Sequence, residues 1–176
     1  EQATSGTGFA QIMAAETDHP TLVLAMGIAE ASNTTDLFNR ARQTGIGWIT
    51  DDRWITYPNE AGQAVAQLLQ QVDIVYLTVD LDVLPAAVAP AVSAPAAYGV
   101  PLPLVSAVID HVAASGKLVH ADIAELNPSL DNTNATASVA ARFVHRLTTA
   151  ARGRHLIAAS APESGQPQGV EYHQDR

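Results

Sequence analysis

The 176-residue sequence contains no cysteine. This absence excludes disulfide bonds, thiolate catalysis and zinc sites that use cysteine ligands. No apolar run is long enough to cross a bilayer, and no positively charged segment precedes an apolar leader. We therefore expect a cytoplasmic protein without a membrane partner.

Positive charge is scarce, because 9 lysines and arginines stand against 18 aspartates and glutamates, for a net charge of -9. An acidic domain repels phosphate backbones, so nucleic acid is not an expected partner. The chain is 47% hydrophobic but only 5% aromatic, and small aliphatic residues must fill its core. We expect one domain over residues 1–158 and a mobile polar tail over residues 159–176.

Several motifs of common enzyme classes are missing. The sequence has neither a glycine-rich phosphate loop nor a Gly-x-Ser-x-Gly elbow. Its 6 histidines show no His-x-x-x-His spacing. A nucleotide-binding domain and a serine hydrolase are therefore both disfavoured.

Strand-like apolar runs alternate with helix-like segments along the chain. The predicted strands are residues 21–28, 46–50, 73–80 and 118–126. The predicted helices start near Thr35 and Asn59 and cover residues 104–115 and 134–151. This alternation predicts an α/β fold, a three-layer α/β/α arrangement with a mainly parallel sheet.

Residues 85–103 contain half of the 10 prolines and no charged residue. Proline lacks an amide donor and interrupts regular elements. Because valines are spread through this segment, we expect a packed loop. Long loops in compact domains are often functional.

Asp80 and Asp82 end the third predicted strand and would share one of its faces. Two adjacent, partly desolvated carboxylates repel each other, so a cation, an arginine or amide donors must compensate. Ligands of open α/β sheets bind beyond the carboxyl ends of the strands. The spacing fits a metal site, or one aspartate that caps a turn while the other faces water.

Glu125 ends the fourth predicted strand. If that strand is parallel to the third, Glu125 points into the same crevice as the two aspartates. Ile123 would then share its face, and Asp122 would point the other way. The alternative is a solvated loop glutamate.

Residues 76–90, Tyr-Leu-Thr-Val-Asp-Leu-Asp-Val-Leu-Pro-Ala-Ala-Val-Ala-Pro, closely resemble the ureohydrolase superfamily of arginases and agmatinases. Within it they are most similar to the formimidoylglutamase group, which carries Leu84-Pro85 where arginases have Asp-Pro. The segments 4–7, 93–102 and 121–128 continue the resemblance, which extends to about Leu147.

The resemblance implies an arginase-like fold and two manganese ions. Asp80 would contact both ions and Asp82 one of them. Glu125 would be the catalytic carboxylate that pairs with the cationic formimidoyl nitrogens of the substrate. Ser5 and Thr7 match a loop that contacts the amino-acid end of the substrate.

The implied reaction is hydrolysis of N-formimidoyl-L-glutamate to L-glutamate and formamide, a step of histidine breakdown. The complete enzyme would act on this small molecule as a homo-oligomer. Two other metal motifs of the superfamily, a Gly-Gly-His block and an Asp-Ala-His-x-Asp block, are absent here. We therefore expect the C-terminal portion of such a domain, incomplete on its N-terminal side and inactive alone. Another ureohydrolase, such as an agmatinase or arginase, and a non-catalytic remnant remain the alternatives.

Overall fold

The computed structural model describes residues 8–15 and 21–159. Its strands are β1 (Leu24–Ile28), β2 (Gly47–Thr50), β3 (Val75–Asp80) and β4 (Leu118–Ala124). Its helices are α1 (Gly8–Ala14), α2 (Thr35–Thr44), α3 (Asp51–Thr56), α4 (Pro58–Gln71), α5 (Leu102–Ala114) and α6 (Ala135–Ala159). Ser5, Thr7 and nearly all of the predicted tail lie outside the described residues. Within these ranges, no helix combines the length and apolar character needed to span a membrane.

All pairing between the described strands is parallel, as the alternating pattern predicts. Among these residues the strands form two separate pairs, β1 with β2 and β3 with β4. The register places Thr78 opposite Asp122 and Asp80 opposite Ala124. The carboxyl ends of β3 and β4 therefore meet at one edge.

Helices cover both faces of the β1–β2 pair. On one face, Trp48 of β2 contacts Phe38 of α2 with ring centroids 5.7 Å apart. The next residue, Ile49, is buried in the main core and points to the opposite face, because side chains alternate along a strand. The arrangement is part of a three-layer α/β/α fold.

Helices α4 and α5 join the two strand pairs through a second apolar cluster. Val65 and Leu69 of α4 and Val112 of α5 are buried there. They pack against apolar residues of β1, β3 and β4, namely Leu24, Met26, Val75, Leu77 and Leu118. These helices therefore cover one face of β3 and β4.

The ends of α2 follow from local chemistry. The Thr34 hydroxyl accepts a hydrogen bond from the Leu37 amide at 3.3 Å, which satisfies a free donor of the first turn. Gly45 closes the helix in the left-handed conformation at φ 73°, where a side chain would be strained. The predicted start near Thr35 is confirmed.

Two helices differ from the sequence-based expectation. Helix α3 was not expected; Thr50 caps it by accepting a hydrogen bond from the Arg53 amide at 3.3 Å. Helix α6 continues past Gly153 to Ala159, so the predicted end at Ala151 is wrong. A glycine inside a helix costs only about 1 kcal/mol, which the surrounding turns can offset.

The proline-rich segment is a packed loop, as predicted. Its inward-facing side chains are at most 1% exposed: Ala89, Ala91, Val92 and Val100. Backbone hydrogen bonds close it at two places, from Ala86 to Ala96 at 2.8 Å and from Val100 to Val83 at 2.7 Å. The loop is therefore an ordered part of the core.

Buried contacts anchor the middle of this loop beside the start of α6. The Ala91 amide donates to the Thr136 hydroxyl at 3.0 Å in a buried position. The Ala91 carbonyl accepts from the Asn127 amide at 2.9 Å. These two bonds hold the loop against the segment that follows β4.

Candidate metal centre

Strand β3 ends at Asp80, and Leu81–Val83 forms a single 3-10 turn. One Asp80 oxygen accepts a hydrogen bond from the Asp82 amide at 2.8 Å. The expectation that Asp80 and Asp82 share one face of an extended strand is therefore wrong, because the strand ends at Asp80 and the chain turns between the two residues. Asp80 is thus a turn cap, and it also lies at the carboxyl edge that the sequence indicates for a ligand site.

Asp82 is half-buried, and its Oδ1 is a buried atom without a hydrogen-bond partner among the described residues. Burial, followed by the charges of Asp80 and Glu125, raises the pKa of Asp82 to about 6, although the nearby Ala94 backbone acts in the opposite direction. A buried carboxylate oxygen that lacks a donor is costly unless a cation or proton compensates it.

The charge of Glu125 also acts on Asp80. Although it presents much of its surface to solvent, burial of the carboxyl raises the pKa of Asp80, and the charge of Glu125 adds to this effect. The Asp82 amide opposes the shift. Among the described residues, neither aspartate forms an ion pair with lysine or arginine.

Glu125 lies one residue beyond β4 and has a left-handed backbone with φ 69°. Such a conformation costs about 1 kcal/mol or more for a residue other than glycine. Its carboxylate accepts a hydrogen bond from the Ser93 hydroxyl at 2.9 Å. The structure thus brings Glu125 close enough to Asp80 and Asp82 for their charges to interact.

Asp122 shares a sheet face with Thr78 and Tyr76, both of which donate hydrogen bonds to it. The Thr78 bond is 2.8 Å long. The expectation that Asp122 points away from the Asp80 side is wrong, since the left-handed turn at Glu125 interrupts the strand alternation from which it was argued. The acceptor Asp122 raises the pKa of Tyr76.

The role of Asp122 could have been found from the register alone. In a parallel pair with Thr78 opposite Asp122, both side chains point to the same face. The resulting hydrogen bond joins β3 to β4 one pleat before Asp80. This contact fixes the relative position of the two strand ends that carry the candidate site.

The described residues do not form a complete metal centre by themselves. They contain no group of three or more His, Cys, Asp or Glu side chains that could hold a metal ion. Asp80 and Asp82 nevertheless fit one side of such a site, because the unpartnered Asp82 oxygen and the two unneutralised charges suit a hard cation. The other predicted site residues, Ser5 and Thr7, lie outside the described residues.

The chain matches the model of the Arginase family over residues 1–149. Formimidoylglutamase from Nocardia farcinica is 53% identical over 146 residues, which cover 83% of this chain and 46% of the relative. Formimidoylglutamase from Ralstonia nicotianae is 50% identical over 150 residues, 84% of this chain and 46% of the relative. The chain thus spans about half the length of the curated relatives it matches.

Two solved structures share the fold. Arginase from Bacillus caldovelox aligns with a TM-score of 0.65 and 27% identity over 71% of this chain and 42% of that chain. Formimidoylglutamase from Bacillus subtilis aligns with a TM-score of 0.69 and 21% identity over 73% and 41% of the two chains. With its family match covering most of its length, this chain belongs to the arginase family.

Proposed function

We propose that this chain belongs to a formimidoylglutamase, a binuclear manganese enzyme. It supplies the aspartate pair, Asp80 and Asp82, and the carboxylate of Glu125, which binds the substrate. The observation that carries the proposal is that Asp80, Asp82 and Glu125 lie at the ends of two adjacent strands, near enough for their charges to interact, and that a buried Asp82 oxygen lacks a donor. Relatives of that name, about half identical to this chain, support the choice within the family.

In this proposal Asp80 and Asp82 are ligands of the divalent cations. Carboxylate oxygens are hard donors that suit manganese. Bound divalent cations polarise the electrophile and lower the pKa of a water molecule. Two aspartates are too few for two ions, so the proposal requires further ligands, and the described residues offer no cluster that supplies them.

Glu125 is the residue proposed to hold the amidinium of the substrate. A carboxylate beside a planar cation forms charge-assisted hydrogen bonds, which are stronger than neutral ones. Because Ser93 already donates to Glu125 Oε2, the rest of the carboxylate stays available to the substrate. Ser5 and Thr7 are proposed to contact the amino-acid end of the substrate.

The proposed reaction is a hydrolysis. Water adds to the formimidoyl carbon of N-formimidoyl-L-glutamate, and the bond between this carbon and the glutamate nitrogen breaks. The nitrogen takes up a proton, which gives L-glutamate and formamide. The reaction would serve histidine breakdown, and a cytoplasmic homo-oligomer stays a prediction for the complete enzyme.

A chimera tests this function directly. The matching region of the Nocardia farcinica relative is replaced by this chain, so that the rest of that enzyme supplies the missing ligands. We expect the chimera to release glutamate and formamide from N-formimidoyl-L-glutamate in the presence of manganese, and to prefer this substrate to arginine and agmatine.

The matched variants are Asp80→Ala and Glu125→Gln, with Asp110→Asn in α5 as a control on a residue distant in the chain from the site. The first two should abolish turnover, and the control should keep it. A folded chimera that is inactive while the parent relative is active would contradict the proposed function. Turnover of arginine or agmatine in preference would assign another ureohydrolase activity.

A further inference from the structure

We infer that Ser93 is a positioning residue that aims Glu125 at the amidinium of the substrate; this inference rests on the proposed function. The Ser93 hydroxyl donates to Glu125 Oε2 at 2.9 Å across 32 residues of sequence. No resemblance or motif in the sequence assigns this role. Contacts of the neighbouring residues fix the positions of Ser93 and Glu125.

Ser93 follows the best-anchored part of the proline-rich loop. Ala91 is fully buried and bonded through both its amide and its carbonyl, to Thr136 and Asn127 respectively. Val92, which lies between Ala91 and Ser93, is 1% exposed. The position of Ser93 is therefore set by core packing two residues away, although Ser93 itself is exposed.

The residue after Ser93 lies beside the other half of the site. The Ala94 backbone is near enough to the Asp82 carboxylate to favour its charged form, so neighbouring residues of one loop approach Asp82 and Glu125. Asn127, two residues beyond Glu125, is bonded to Ala91 of the same loop. The loop therefore sets the separation between the aspartate pair and Glu125.

Glu125 needs such a contact. It is exposed and follows the end of its strand, so its side chain has several rotamers open to it. A hydroxyl that holds Oε2 removes part of this freedom before substrate arrives. Preorganisation of this kind improves binding by reducing the ordering cost.

The test compares Ser93→Ala with Ser93→Thr in the chimera described above. A hydrogen bond to a charged group that is partly exposed corresponds to about 5- to 10-fold in affinity. We expect Ser93→Ala to raise KM by that factor with a smaller change in kcat, because Glu125 already contacts the bound substrate. Ser93→Thr, which keeps the hydroxyl, should restore KM to within about 3-fold of the unsubstituted chimera.

Two controls separate positioning from folding. Ser129→Ala removes an exposed hydroxyl in the segment after β4 and should leave KM unchanged. If Ser93→Ala only reduced the fraction of folded enzyme, the apparent kcat would fall in proportion to that fraction and KM would not change. Thermal melts would detect such a loss of folded enzyme. An unchanged KM in Ser93→Ala would overturn the Ser93 inference while leaving the proposed function intact.

A crystal structure of this chain with Ser93→Ala gives a readout that does not require activity. We expect the Glu125 carboxylate to keep one position with serine or threonine at residue 93 and to spread over several with alanine. A single unchanged position with alanine would overturn the inference. An inactive unsubstituted chimera would count against the proposed function alone.

Discussion

Replacing Asp82 with asparagine should stabilise the chain in the absence of metal. Asp82 is half-buried, has an oxygen without a donor and faces the charges of Asp80 and Glu125. Its ionised form is therefore disfavoured in the folded state. Asparagine has nearly the same shape and carries no charge, so it removes the repulsion while keeping the packing.

The size of the effect follows from the pKa of Asp82, which burial and neighbouring charge raise from 3.8 to about 6. This difference corresponds to at most about 3 kcal/mol, and solvent screening of a half-buried group reduces it to about 1–2 kcal/mol. Between pH 3.8 and about pH 6, Asp82 stays protonated in the folded state and is ionised in the unfolded state. The contribution to stability is thus fully present below pH 4 and is lost as the pH rises through about 6.

The assay is urea denaturation of the chain in EDTA at several pH values between 4 and 8. Asp82→Asn should match the parent chain near pH 4 and exceed its free energy of unfolding above pH 6. Asp73→Asn, at an exposed position before β3, is the control and should show no such divergence. A parent chain that equals or exceeds the Asp82→Asn variant at pH 7.5 would refute the reasoning.

Two further substitutions test the packing around the loop, and a third in α4 is their control; each is measured by urea denaturation. Gly99→Ala should cost at least about 2 kcal/mol, because φ is +68° and the new Cβ would lie 2.4 Å from the Pro85 nitrogen; a variant as stable as the parent would contradict this geometry. The matched change Gly62→Ala meets no atom within 4 Å in α4 and should gain about 0.5–1 kcal/mol. Thr136→Val should cost about 1–3 kcal/mol, since it leaves the buried Ala91 amide without an acceptor; a neutral effect would show that the loop is not anchored there.

The regular elements were largely predictable because their signals are local. Thr34 and Gly45 bound α2 through a side-chain cap and a left-handed glycine, which the sequence displays directly. The parallel pairs follow from the alternation of apolar runs and helices. Gly153 shows the limit of such signals, since its helix propensity alone did not decide where α6 ends.

The sequence indicated which acidic residues lie at the ends of the two strands, but not the geometry of those strand ends. The strand-end position of Asp80 and the sequence around it indicated a ligand site. The turn that follows Asp80 and the left-handed backbone at Glu125 are not readable from alternation. These two features leave Glu125 near the aspartate pair instead of pointing along its strand, whereas the contact of Asp122 with β3 follows from the register.

The hydrogen bond from Ser93 to Glu125 was beyond the reach of sequence reasoning, because it spans 32 positions. It depends on the path of the proline-rich loop, which the buried Ala91 and Thr136 determine. Composition indicated that this loop packs, but not which residue it delivers to the site. Tertiary contacts of this kind need coordinates.

The most direct test of a shared metal centre is calorimetric titration of manganese into the chimera, the Asp80→Ala chimera and this chain alone. We expect the chimera to bind two manganese ions tightly. The Asp80→Ala chimera should lose this tight binding, and the chain alone should bind manganese far more weakly. Tight binding of two ions that survives the loss of Asp80 would contradict the account, since the aspartate pair would then not be part of the metal centre.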